Sequence, residues 1–225
     1  MTWSLLNIEE LSFRGTSALG VSAHLEKNQD ISSDTYQLYY TGNGGVTVSS
    51  MSNNLQLTEQ GVIDLVQDLT VITTADGIRR AYYIEIEPNS GNHEIFTAII
   101  SEDGLTLSQV TKTGISNNGE DLAWGVPDSV VLPDGRIRLY WVSTDWAAKT
   151  FANEVILSAT STSTKGVNFI IDEGYRTEGG YVDFEVLKAN KDDWLAIMSS
   201  SPVTIPDEPQ GIYIGASKDG LKWEV

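Results

Sequence analysis

Ser101-Glu102-Asp103-Gly104-Leu105-Thr106-Leu107 and Ser217-Lys218-Asp219-Gly220-Leu221-Lys222-Trp223 are two copies of one turn, 116 residues apart. A unit of half that length predicts a further copy between them. Ser163-Thr164-Lys165-Gly166-Val167-Asn168-Phe169 keeps the glycine and an aromatic residue three positions later. An earlier copy is Ser52-Asn53-Asn54-Leu55-Gln56-Leu57, where Asn54 stands in for the glycine. Both residue types tolerate positive φ, so the turn chemistry survives the exchange. Turn positions 54, 104, 166 and 220 are separated by 50, 62 and 54 residues.

Each turn follows a strand-like run: 46–48, 94–100, 154–157 and 211–214. Upstream of each lies a second aromatic and β-branched run, at 35–40, 80–84, 136–141 and 194–197. Further apolar strands precede these, closed by tight turns such as Asp76-Gly77 and Pro133-Asp134-Gly135. No amphipathic helical period competes with this pattern. A four-stranded sheet of this size cannot bury both faces alone, and radial stacking of copies buries them. The chain is therefore read as all-β: one domain over 1–225, a β-propeller of about four four-stranded antiparallel blades. The blades are placed at 7–61, 62–115, 122–172 and 178–225. Trp3 matches Trp223 in phase, so residues 1–6 are read as a strand closing the last blade, which would protect a sheet edge. A parallel β-helix and a sandwich are the competing architectures. A fragment of a longer propeller, forming an oligomer if its blades are incomplete, is the competing organisation.

The 225 residues carry a formal charge of −17. An acidic surface repels phosphate backbones and anionic headgroups, which argues against nucleic acid and membrane surfaces as partners. It attracts cations, so Ca²⁺ is the structural ion to consider; no other cofactor is implied. There is no cysteine, which removes disulfide and thiolate chemistry. His24 and His93 stand apart, without the ligand spacing of a zinc site, so no metal ligands are assigned. The first residues lack a signal-peptide pattern, and no apolar run approaches the roughly 20 residues that cross a bilayer. A soluble protein of open compartment is the expectation.

The turn Ser-x-Asp-Gly-x-x-Trp resembles the Asp-box, or BNR repeat, of sialidases and related propellers. Residues 217–223 match it fully, while 101–107 has Leu107 in place of tryptophan. The resemblance implies a structural turn at the blade periphery. The three arginines and the tyrosine–glutamate pair of a working sialidase find no convincing match.

A second resemblance bears on chemistry. Residues 125–140, Gly125-Val126-Pro127-Asp128 onward, look like the inner blade strand of arabinanase-, xylosidase- and invertase-type glycosidases. Those propellers place an acid ahead of an inner strand, beside the central cavity. Comparable stretches begin at Gln67-Asp68 and Tyr181-Val182-Asp183, which puts Asp68, Asp128 and Asp183 at one level. Tyr175-Arg176-Thr177-Glu178-Gly179-Gly180 resembles the segment carrying the acid of those enzymes. The resemblance implies Asp68 as base, Asp128 as pKa modulator and orienter, and Glu178 as proton donor, with Asp183 or Glu185 as substitutes. Glycosidic cleavage needs a protonated carboxyl for the leaving oxygen and an ionised one to activate water or attack the sugar, and a nearby carboxylate raises a donor's pKa. Trp124, Trp146 and Tyr175 are read as sugar-stacking residues, with Glu185 also facing the saccharide.

The sequence departs from that family in two respects: it has about four blades where those enzymes have five, and its first blade shows no matching acid. Aspartates at strand ends also bond local amides. A non-catalytic binding or assembly module therefore stands beside the glycoside-hydrolase reading, as does a partial or engineered repeat array with no activity of its own.

Overall fold

β-Branched and aromatic residues dominate the strand segments, where a pleated, half-buried surface favours them. The structure is a computed structural model and describes residues 21–27, 35–42, 44–116, 123–144, 154–177, 180–200 and 211–225. Among the described residues, sixteen strands form four sheets, each four-stranded and antiparallel. Blade 1 holds β1 (Val21–Lys27), β2 (Thr35–Gly42), β3 (Gly45–Ser52) and β4 (Leu57–Asp64). Blade 2 holds β5 (Gln67–Thr73), β6 (Arg79–Ile86), β7 (His93–Ile100) and β8 (Leu107–Ser116). Blade 3 holds β9 (Ala123–Val131), β10 (Ile137–Thr144), β11 (Glu154–Ser161) and β12 (Phe169–Ile171). Blade 4 holds β13 (Tyr181–Asn190), β14 (Asp193–Ser200), β15 (Ile212–Ser217) and β16 (Trp223–Glu224).

The architecture is the four-bladed β-propeller expected from the repeat. One expected boundary moves. Residues 62–64 pair with β3 as the end of β4, so blade 1 runs past residue 61 and blade 2 opens at Gln67. The expected closing strand over residues 1–6 lies outside the described residues. The last blade has a fourth strand of its own in β16, paired to β15 at Ser217↔Trp223.

Period-two alternation sends the side chains of blades 2 and 3 to the neighbours on either side. In β6, Ala81 and Tyr83 join a core with Tyr39, Val46 and Val48 of blade 1, while Tyr82 and Ile84 join Ile137, Leu139 and Trp141 of blade 3. Tyr140 and Val142 of blade 3 meet Phe184, Trp194, Ala196 and Met198 of blade 4. Three of the four core clusters among the described residues are thus layers between blades, and the fourth, Leu38, Tyr40, Met51 and Leu57, lies on the other face of blade 1.

The glycine turns are fastened to these layers. Tyr82 Oη donates to Gly166 O of the next blade at 2.8 Å, and Tyr140 Oη donates to Gly220 O at 2.8 Å. Blade 1 does the same work with Gln37, whose Nε2 donates to Asp103 O at 2.9 Å. Arg138 Nη1 donates to Asp219 O at 2.8 Å. Within the turns, Leu221 N donates to Asp219 Oδ1 at 2.8 Å, Trp223 Nε1 donates to Gly220 O at 3.1 Å, and Leu105 N donates to Asp103 Oδ1 at 3.1 Å. Gly220 combines φ +72° with no room for a Cβ, which would lie 2.7 Å from Tyr140 Oη. The turn glycine is needed for conformation and for contact.

Leu195 and Ile197 alternate with the buried Trp194, Ala196 and Met198, so they face away from blade 3, on the side where Ile212 and Ile214 are exposed.

Tyr140→Phe should lower stability by about 1 kcal/mol, the net worth of one buried hydrogen bond, in urea unfolding. The same exchange at the exposed Tyr175 should leave the midpoint unchanged. Gly220→Ala should cost more than Tyr140→Phe, because it adds backbone strain to the clash.

Candidate functional site

The four inner strands β1, β5, β9 and β13 all break register, at Val21/His24, Gln67/Thr70, Gly125/Asp128 and Val182/Glu185, and β9 and β13 shift again at Ala123/Gly125 and Val186/Lys188. The break shared by all four strands carries a residue in the left-handed region: Ser22 (φ 53°), Asp68 (50°), Val126 (50°) and Asp183 (50°). Such bulges add an unpaired residue and re-aim side chains, and they gather beside functional sites. Two residues further along every strand come His24, Thr70, Asp128 and Glu185. Both tiers line one cavity of about 360 Å³ between the inner strands.

This tiering corrects the expectation that Asp68, Asp128 and Asp183 share one level. Asp68 and Asp183 sit on their bulges, where blade 3 has Val126. Asp128 belongs to the second tier with His24, Thr70 and Glu185. The reason is local: the bulge in β9 falls before Pro127, so the aspartate after it lands one side-chain step further in.

The carboxylates also differ in what they are tied to. Asp68 Oδ1 accepts from Thr41 Oγ1 at 3.1 Å and Oδ2 accepts from Val126 N at 3.1 Å, joining blades 1, 2 and 3. Gly125 permits this approach, since a Cβ there would lie 2.7 Å from Asp68 Oδ2. Asp183 Oδ2 accepts from Ser199 Oγ at 2.7 Å in its own blade. Asp128 Oδ2 accepts from Val186 N of the next blade at 2.8 Å.

Asp128 is buried, and loss of hydration pushes its carboxyl up to about 7. The Glu185 charge pushes the same way; bonds from Val186 N, Ser129 N and the Thr70 hydroxyl oppose both. Burial raises Glu185 as well. His24 moves the other way, down to about 4, because burial disfavours the imidazolium more than the Glu26 charge favours it. Thr70 Oγ1 lies between these groups, 3.4 Å from His24 Nδ1 and 3.3 Å from Ser129 Oγ. The second tier thus joins two carboxyls raised by burial, Asp128 and Glu185, to an imidazole whose charged form burial disfavours, and shifted groups of this kind gather at active sites.

The remaining expected site residues lie apart from this cavity or outside the described residues. Tyr175 is exposed and does not line the cavity. Glu178 and Trp146 lie outside the described residues, as does the side chain of Trp124. Among the described residues no cluster of three His, Cys, Asp or Glu side chains fits a metal ion. Sequence reasoning set His24 aside as isolated and passed over Thr70. The available signal was their common offset, two residues beyond the bulge position on each inner strand.

No family model and no curated protein matches the sequence. Solved structures do. An endo-1,4-β-xylanase from Bacteroides thetaiotaomicron VPI-5482 superposes with a TM-score of 0.65 at 12% identity, over 90% of this chain and 77% of its own. The family-43 endo-arabinanase from Bacillus licheniformis gives 0.63 at 14%, over 92% and 74%. A thermostable family-43 glycoside hydrolase gives 0.57 at 14%, over 92% of both chains. At such identities the likeness shows the fold: the propeller is of the kind these structures share.

Two predictions follow the site's electrostatics and packing. The raised Asp128 carboxyl contributes stability below about pH 4 that is lost as pH rises toward 7; the lowered His24 contributes stability above about pH 6.5 that is lost as pH falls toward 4. Relative to the unaltered chain, Asp128→Asn should therefore gain stability as pH rises from 4 to 7, and His24→Gln should gain it as pH falls over that range. Urea midpoints at pH 4.5, 5.5 and 7 read both slopes. Gly125→Ala should destabilise by about 1–3 kcal/mol through loss of the half-buried Asp68 bond, and far less when Asp68 is already alanine, a non-additivity that a double-mutant cycle measures.

Proposed function

We propose that this chain binds a saccharide over the axial cavity and that Asp128 and Glu185 act on it as acid and base, as a glycoside hydrolase does. The observation carrying this reading is the buried Asp128 carboxyl, raised to about 7 by loss of hydration, beside a second carboxyl from the adjacent blade. In the reaction, the Asp128 proton passes to the glycosidic oxygen as its bond to the anomeric carbon breaks. Glu185 takes a proton from water, whose oxygen bonds to that carbon. Thr70 and Val186 N hold the Asp128 carboxyl in place, and the bulges turn the inner strands toward the substrate. The xylanase and arabinanase named above support a pentose-rich polysaccharide as the first substrate class to try. Asp68 serves here as a tie between three blades, with both oxygens engaged, and not as the base.

That engagement of Asp68 also favours a second reading, a propeller that binds glycan without cleaving it. Both readings place the sugar in the same cavity, so one assay pair separates them. Arabino- and xylo-oligosaccharides, with the matching aryl glycosides, are tested for binding by calorimetry and for sugar release. The hydrolase reading expects binding and release, with Asp128→Asn and Glu185→Gln each lowering the rate at least 100-fold, the order expected for loss of one general acid or base, while the fold survives by circular dichroism. Binding without release by the unaltered chain selects the non-catalytic reading. Absence of both sinks the saccharide proposal.

A further inference from the structure

The proposed chemistry uses Asp128 and Glu185 of the second tier and leaves a third carboxyl of the cavity wall without a task. Asp183 stands two residues ahead of Glu185 on β13 and lines the same cavity. It is exposed, whereas its counterparts Ser22, Asp68 and Val126 on the other inner strands are half-buried. Thr70 and Asp128 of the second tier are buried. The first tier is therefore the solvent side of the cavity, and Asp183 is its most open member.

Two constraints aim that side chain. The backbone is held at φ 50° inside the register break between Val182 and Glu185, an uncommon geometry of the kind that gathers at ligand sites. Ser199 Oγ, on β14, donates to Asp183 Oδ2 at 2.7 Å, which fixes the rotation of the carboxyl. The other oxygen, Oδ1, accepts no hydrogen bond from any described residue. Asp68 differs, with one oxygen on Thr41 and the other on Val126 N, and Val126 has an apolar side chain. A carboxylate oxygen accepts hydrogen bonds and gives none, so the group that matches Asp183 on a bound molecule is a donor such as a hydroxyl.

We propose that Asp183 is a substrate-contacting residue whose Oδ1 accepts a hydrogen bond from a ring hydroxyl of the bound sugar, setting the level at which that sugar sits above Asp128 and Glu185. This rests on the saccharide reading and deepens it, because it requires a sugar that keeps a free hydroxyl on the solvent side of the cavity. Ser199 is the positioning residue, since it holds the carboxyl and reaches the sugar only through it. The assignment also separates Asp183 from the proton-donor role that the family resemblance implies for it: Asp183 holds the sugar, and the proton comes from Asp128.

Calorimetry with xylotriose and arabinotriose reads the contact. Asp183→Ala should weaken trisaccharide binding about tenfold, the loss of one hydrogen bond of about 1.4 kcal/mol. Asp183→Asn should recover most of the affinity, because its amide nitrogen can take the Ser199 contact and turn the oxygen to the ligand. Ser199→Ala leaves residue 183 unaltered and should weaken binding by a smaller factor. Where sugar is released, Asp183→Ala should act on KM more than on kcat, as the loss of a contact made equally before and during reaction does. Unchanged affinity in Asp183→Ala, or in Ser199→Ala where the first variant does not fold, would overturn the contact while leaving the saccharide reading intact. A fall in kcat of about 100-fold or more in Asp183→Asn would also overturn it, since that loss belongs to a proton donor. Absence of trisaccharide binding by the unaltered chain overturns the saccharide reading, and the contact with it.

Discussion

A phenolic hydroxyl reaching the carbonyl of a glycine turn in the next blade is the interaction on which this molecule is organised. Tyr82 to Gly166 and Tyr140 to Gly220 span 84 and 80 residues at the same 2.8 Å. Each sheet alone would expose two apolar faces. Layering the faces removes them from water, and the tyrosine bond fixes how far one blade slides on the next. Because the inner strands belong to the same rigid blades, that register also decides which residues meet at the axis.

The axis is where local rules are broken. Four inner strands adopt left-handed geometry at matching positions, one of them at Val126, where a β-branched side chain makes φ 50° unfavourable. A strand without such a break would pair along its whole length and direct its side chains into the layers between blades. The broken register turns one tier of polar groups into the cavity and sets a second tier two residues behind it. Inter-blade bonds from Asp68 to Val126 N and from Asp128 to Val186 N then hold blades 2, 3 and 4 around the same space. Structural cohesion and the unusual acidity of Asp128 have a single origin in this inward turn, since burial strengthens the bonds and raises the carboxyl together.

Much of this was legible in the sequence because a repeated turn is a local signal. Ser101-Glu102-Asp103-Gly104 and its copies mark where blades recur, and the strand content follows from period-two patterning. The acids Asp68, Asp128, Asp183 and Glu185 were likewise visible from their position ahead of inner strands. Their ranking was not. Whether Asp68 is free or tied depends on Thr41, 27 residues away, and on the absent side chain of Gly125. Whether Asp128 keeps its proton depends on burial, which no spacing reports. His24 was invisible as a site residue for the same reason: its neighbours Thr70 and Ser129 come from other blades, and a bulge shifts the count of residues between them. Bulges change register without changing composition, so a sequence pattern places the strand and misses the tier.

The account stands or falls on the acidity of Asp128. Selective ¹³C labelling of aspartate carboxyls, with Asp128→Asn to assign the resonance, would follow its titration in the folded chain. A midpoint near 7, falling when Glu185 is replaced by glutamine, is what a desolvated carboxyl beside a like charge should give. A midpoint below about 5, within the ordinary aspartate range, would mean the cavity is hydrated and the carboxylate ionised at neutral pH, and the acid role assigned to it would be wrong.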